Sequence, residues 1–190
     1  MEKIKLGIST CLLGLPVRYD GGHKLDHYLR DTLGRYVEFS PVCPEAECGF
    51  GVPREAVRLV GDAERPRLTT VRSKQDLTDR MTVWIAGRVR ELESERLCGF
   101  VFKSGSPSSG MERVKVYNEK GAAAKNGVGL FARAFMEYFP NLPVEEEGRL
   151  NDPVLRENFI ARIFMYARWQ ELNRRGRLKL SAVIDFHVSN

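Results

Sequence analysis

The sequence predicts an α/β fold: a mostly parallel sheet with flanking helices, a small β insertion and a C-terminal helical extension. Three apolar runs of strand length, at 3–9, 36–42 and 99–103, recur along the chain. Stretches with helical spacing alternate with them, and strands that alternate with helices pack as parallel neighbours joined by crossovers. The expected architecture is therefore an open sheet of the Rossmann-like or flavodoxin-like kind.

Ile4, Leu6 and Ile8 alternate in the first run, the period of a strand with one buried face, and the chain then enters Cys11. Gly21 and Gly22 punctuate before a helix expected over 24–33, with Leu25, Leu29 and Leu33 on one stripe. The second strand ends at Cys43-Pro44, where proline stops regular pairing. Segments 57–60 and 67–71 flank a Gly61-Asp62 turn as a β excursion, and Pro66 assigns the second to an edge. After Asp76, a fitting N-cap, Leu77, Met81, Trp84, Ile85, Val89 and Leu92 recur at helical spacing. Strand 99–103 runs into a serine-rich loop. A helix follows over 128–139, with Leu130, Phe131, Ala134, Phe135 and Tyr138 on one face. Leu142-Pro-Val144 reads as a last short strand and Glu145-Glu-Glu-Gly148 as a break. Asp152-Pro153 then supplies a cap and a first-turn proline for a helix to about 172, with Leu155, Phe159, Ile163 and Tyr166 on one side. Residues 177–190 read as the opening of another helix, and the chain looks cut short there.

A chain of 190 residues with 43% hydrophobic content suits one buried core plus an appendage. No apolar run approaches the roughly 18 residues of a membrane span, and Met1–Leu6 leads straight into a strand, so a cytoplasmic location is expected. Thiols in that compartment stay reduced, which makes Cys11, Cys43, Cys48 and Cys98 fillers, metal ligands or catalysts rather than disulfides. The formal charge is +5. Residues 151–190 carry seven Arg or Lys against four Asp or Glu, a net of +3 that leaves +2 for the first 150. A basic tail favours an anionic partner such as nucleic acid about as well as it fits a solvated surface.

Open parallel sheets bind ligands where their strands end. Cys11 to Gly22, Val42 to Glu45 and Lys103 to Gly110 each follow a strand, so two thiols, a carboxylate and a cluster of hydroxyls converge on one crevice. That combination suits a soft metal or an iron-sulfur cluster. The spacing leaves a second reading open, small buried thiols beneath a ligand crevice, because Cys43 and Cys48 form only a C-x4-C pair and Cys11 is remote. His23 and His27, four apart on the expected helix, have a zinc-compatible spacing but no third ligand.

The ordered set Ser9-Thr-Cys11-Leu-Leu-Gly, Arg18-Tyr-Asp-Gly-Gly22, Pro41-Val-Cys-Pro-Glu45, Gly51-Val-Pro-Arg-Glu55 and Lys103-Ser-Gly-Ser-Pro-Ser-Ser-Gly110 resembles the TudS-type thiouracil desulfidases over about residues 1–150. Residues 151–190 resemble a helical linker and the truncated start of a YbgA-like C-terminal domain, as in RudS-type enzymes that act on 4-thiouridine in transfer RNA. The resemblance implies a [4Fe-4S] cluster held by three cysteines and a non-redox hydrolysis that releases hydrosulfide from a thiolated pyrimidine. It makes Cys11 and Cys43 ligands, Glu45 an acid/base group and Ser106 a substrate-positioning or proton-relay hydroxyl. Arg18, Asp20, Lys103, Ser104 and Ser108 are the expected substrate contacts. Asp20 with Arg18 has the alternative reading of a braced Asp-Gly turn, and Lys103 and Ser104 that of a phosphate cradle.

The family's third ligand falls at Ser109, a poor replacement for a soft thiolate. Cys48, just beyond Cys43-Pro-Glu45, is the expected substitute. Cys98 precedes its strand while the serine loop follows it, a separation of roughly 17 to 20 Å, so it reads as filler. Two competing readings are a cluster-free nucleotide or RNA binding module and a structural zinc protein.

Overall fold

The alternation of Ile4, Leu6 and Ile8 forms β1 (Ile4–Ser9), which runs into a 3-10 turn over Thr10–Leu13. The other strands are β2 (Val37–Val42), β3 (Val57–Val60), β4 (Arg67–Thr70), β5 (Phe100–Phe102), β6 (Val114–Tyr117), β7 (Ala123–Gly127) and β8 (Val144–Glu146). The helices are α1 (Pro44–Glu47), α2 (Thr78–Ser94), α3 (Leu130–Tyr138) and α4 (Pro153–Arg174). The structure is a computed structural model and describes residues 3–174 and 186–188.

The main sheet has the order β2-β1-β5-β8 and is parallel throughout, with Ile4 opposite Val37, Gly7 opposite Phe100 and Phe100 opposite Val144. From β1 the chain goes to one side to form β2 and later returns to the other side to form β5. The strand order therefore reverses between β1 and β5, the place where such sheets open a crevice at their carboxyl ends. All three residues of β5 are buried, as expected for a parallel strand covered on both faces. On one side, Phe100 and Phe102 pack against Phe131 and Phe135 of α3, with Met81, Ile85, Val89 and Leu92 of α2 in the same cluster. On the other, Phe159 and Ile163 of α4 are buried with Leu6, Ile8 and Val101, so α4 packs into the core on that face of the main sheet.

The β excursion is larger than expected. β3 and β4 pair antiparallel, β3 also pairs parallel with β6, and β6 pairs antiparallel with β7, giving a second sheet of order β4-β3-β6-β7. β4 is an edge, as Pro66 implied. β7 has the sequence Ala-Ala-Lys-Asn-Gly, with no apolar alternation, and four of its five residues are exposed; its pairing comes from β6.

Two local expectations are corrected. Residues 24–26 are not helical: the helix begins as a wide π turn over Tyr28–Thr32 and tightens into a 3-10 turn over Leu33–Arg35. The Asp26 carboxylate accepts the Leu29 N–H at 3.0 Å and so starts the helix late. Leu29 and Leu33 still face the core, but His23 and His27 no longer share a helix face. The glutamates 145–147 are not a break: Glu145 and Glu146 lie buried in β8, Glu145 accepts Arg149 Nε at 2.6 Å, and Glu146 and Glu147 have partners described below. The helix expected over 177–190 lies outside the described residues except at 186–188, where Phe186 packs on Trp169 with ring centroids 5.5 Å apart. Among the described residues, no helix is long and apolar enough to cross a membrane.

Candidate active site

Three strand ends build one crevice. After β1, Cys11 sits in the 3-10 turn, its carbonyl accepting the N–H groups of Gly14 and Lys24, and Gly14 closes the turn at φ +89°. After β2, Cys43 precedes the single turn of α1. Its N–H donates to the Glu47 carboxylate at 2.7 Å, and its Sγ lies 3.8 Å from the Val17 carbonyl. After β5, the Lys103 N–H donates to Ser9 Oγ at 2.9 Å, which ties the end of β5 to the end of β1. The crevice between them holds about 70 Å³ of solvent space; Cys11, Cys43, Glu45, Arg18, Lys103, Ser106, Ser108 and Ser109 all line it.

Glu45 is held on both carboxylate oxygens. Oε1 accepts the Ser108 hydroxyl at 2.9 Å, and Ser108 Oγ is 3.1 Å from Ser106 Oγ. Oε2 accepts Nε and Nη2 of Arg54, at 3.1 and 2.5 Å. The Arg54 side chain is only 5% exposed and that of Glu45 12%. Arg54 Nη1 also donates to the carbonyls of Val17 and Gly51, and its backbone N–H to the Tyr19 carbonyl. A buried charge needs both a counter-charge and saturated hydrogen bonds, and each is supplied here. Arg54 thus ties the loop after β1 to the loop after α1 and fixes the aim of Glu45.

The serine loop is clamped from two sides. Glu147 accepts Lys103 Nζ at 2.5 Å, the Ser104 N–H at 2.7 Å and the Ser104 hydroxyl at 2.7 Å, while Glu146 accepts the Met111 N–H at 2.7 Å. From the other side, the first N–H groups of α3 use loop carbonyls: Phe131 and Ala132 both donate to the Ser108 carbonyl, at 2.9 and 3.2 Å. Gly129 permits that approach, because a Cβ there would sit 2.6 Å from the Ser108 carbonyl group. Inside the loop, Ser106 Oγ accepts the Ser109 N–H at 3.1 Å. The loop is therefore rigid before any ligand arrives.

The thiols in the crevice favour their neutral form. Burial first, then the nearby Cys43, pushes Cys11 up to about 11, against the pull of Lys103 and Arg18. Burial also raises Cys43. All four cysteines are free.

The structure brings together Cys11, Cys43, Glu45, Ser106, Ser108, Arg18 and Lys103 from the expected set. It does not bring Cys48 to them. Cys48 caps the far end of α1, with its Sγ 3.5 Å from the Arg80 carbonyl of α2 and its side chain in the apolar cluster of Leu77 and Met81. One turn of helix points residues five apart in different directions, so nearness in sequence misleads here. Asp20 stays outside the crevice as a turn brace, its carboxylate accepting the Gly22 N–H at 3.0 Å with Arg18 Nε at 3.6 Å. Ser104 is committed to Glu147. Cys98 is buried away from the crevice, with its Sγ 3.8 Å from the Gln170 side-chain oxygen. Among the described residues, no three of the His, Cys, Asp and Glu side chains are gathered as a metal site. Arg54, Glu146 and Glu147 are the site-building residues that sequence reasoning missed. Arg54 had a signal, a lone cation in Gly51-Val-Pro-Arg-Glu55, a segment noted only as part of a resemblance.

With this geometry in hand, the family model of the 2-thiouracil desulfurases matches residues 6–147, which contain every crevice residue named above. The chain belongs to that family. A solved structure of a [4Fe-4S]-dependent thiouracil desulfidase, TudS, is similar with a TM-score of 0.64 and 28% identity, covering 82% of this chain and 99% of that one. An uncharacterized Bacillus subtilis protein, YbbK, is 26% identical over 108 residues, 54% of this chain and 71% of its own length. The match to TudS supports the α/β architecture of a parallel sheet with flanking helices.

Proposed function

We propose that this protein is a desulfidase acting on thiolated uracil, with an iron-sulfur cluster as its cofactor. The observation that carries the reading is the convergence of two free thiols with the Ser106–Ser108–Glu45 chain in one crevice, within the part of the chain that matches the 2-thiouracil desulfurases. Of the donors such a cluster takes, the crevice supplies two thiols, Cys11 and Cys43, and Ser109, 4% exposed, lines the same crevice. Cys11 and Cys43 would hold the cluster, with Ser109 as the hard, weaker third contact. Bound there, the cluster would supply a Lewis acid for the departing sulfur.

The chain's own residues account for the rest of the hydrolysis. Water adds to the ring carbon that carries sulfur, and the Glu45 carboxylate takes its proton at Oε1. The Ser108 and Ser106 hydroxyls pass protons along the 2.9 and 3.1 Å contacts. Arg54 keeps the carboxylate aimed while its charge offsets that of Glu45. Sulfur leaves as hydrosulfide and the ring gains a carbonyl, so no electron donor is required.

The proposed substrates are free thiouracil and, as a finer proposal, 4-thiouridine in transfer RNA, which the +3 charge of residues 151–190 favours. The test is anaerobic reconstitution followed by incubation with 2-thiouracil. Release of uracil and hydrosulfide in equal amounts supports the reading. A cluster-loaded protein that leaves thiouracil intact would overturn it. Ser109 favours a second reading, a nucleotide-binding module without a cluster, which predicts uracil binding by a protein that retains no iron.

A further inference from the structure

The crevice is lined by charged and hydroxyl side chains together with the aliphatic Val17, Val42 and Pro44, and a pyrimidine presents two flat apolar faces to such a wall. Among the described residues that line the crevice, Tyr19 is the one aromatic. It keeps 42% of its surface open although it flanks a well-packed site. Leu15 and Val52 are exposed as well, and they belong to the same two loops, 14–22 and 49–54. Those loops are joined by Arg54, which donates its backbone N–H to the Tyr19 carbonyl at 2.8 Å and its guanidinium to the carbonyls of Val17 and Gly51. An exposed aromatic ring at the edge of a crevice offers a flat face that a planar ligand can cover.

Tyr19 is also held before any ligand arrives. The Arg18 guanidinium stands over its ring, 5.5 Å from the centroid. The turn beneath is fixed by the Arg18 N–H to the Gly22 carbonyl at 3.2 Å and by the Gly21 N–H to the Arg18 carbonyl at 2.9 Å. A ring fixed in this way loses little entropy when a second ring stacks on it.

We infer that Tyr19 is the stacking platform for the heterocycle, with Arg54 as the strut that keeps the platform in register with Glu45. This inference rests on the desulfidase reading and adds to it the residue that recognises a flat aromatic base. Recognition through the ring face is indifferent to where sulfur sits on the ring, so the platform serves 2-thio and 4-thio pyrimidines alike. Specificity for the sulfur position then belongs to the edge contacts.

The experiment measures 2-thiouracil and uracil binding by calorimetry on the full chain, together with KM and kcat of the reconstituted protein, for Tyr19→Ala and Tyr19→Phe. Tyr36, 62% exposed at the opposite end of β2, provides the control Tyr36→Ala. Tyr19→Ala is expected to weaken binding of both bases and raise KM about 5- to 100-fold, the range that base stacking on an aromatic ring supplies, with kcat and iron content kept. Tyr19→Phe should restore wild-type values and Tyr36→Ala should not differ from them. Binding within twofold of wild type in Tyr19→Ala, or a phenylalanine no better than alanine, would overturn the platform while leaving the desulfidase reading intact. A wild-type protein that binds neither base would overturn both.

Discussion

The two ends of α1 carry the same chemical group in opposite circumstances. At its start, Cys43 faces the crevice with Cys11, its N–H held by Glu47. At its end, Cys48 turns into the apolar layer between α1 and α2 and points its thiol at the Arg80 carbonyl. Cys43 shares the crevice with a cysteine 32 positions away, and Cys48 does not. A parallel sheet makes strand ends neighbours whatever their distance in sequence, while a helical turn separates residues that sequence places together. The thiol's surroundings, rather than its spacing, therefore decide what it does.

The contrast is broken most sharply by Cys43→Ser, which should bring desulfidation to background and leave the folded state intact, as thermal melting with thiouracil turnover would show. Glu45→Gln keeps the shape and removes the base, so kcat should fall by about 10² to 10⁴ with KM nearly unchanged in steady-state assays. Arg54→Met leaves the Glu45 charge buried without its partner. A loss of about 3 to 5 kcal/mol is expected, measured by urea unfolding, alongside reduced kcat. Ser109→Cys adds a soft donor to the crevice wall, and iron retained after desalting should rise several-fold over wild type. The smallest effect belongs to Cys48→Ala, a loss of roughly 1 to 2 kcal/mol from a small cavity near Met81, with activity preserved.

Much of the fold was legible because its core strands and helices are periodic. β1, β2, β5, α2 and α4 fall where apolar residues recur, and the capping role of Asp152 is met by hydrogen bonds to the Val154 and Leu155 N–H groups. What was illegible has a physical cause in each case. β7 has no pattern because its sheet partner supplies the order. The late start of the helix before β2 depends on the Asp26 side chain, and Glu146 and Glu147 look like a polar break because their partners, Met111 and Lys103, are distant in sequence. The crevice followed from the strand-end rule, which gathers Cys11, Cys43, Glu45 and the serine loop. Arg54 could not be weighed from sequence, since its importance lies in hydrogen bonds to Glu45 and to the distant carbonyls of Val17 and Tyr19.

The most direct test compares the iron and sulfide content of anaerobically reconstituted Cys43→Ser and Cys48→Ser with that of the parent chain. The account predicts that Cys43→Ser loses the cluster and Cys48→Ser keeps it at the parent level. Loss of the cluster in a folded Cys48→Ser protein, with retention in Cys43→Ser, would contradict the crevice as the cluster site.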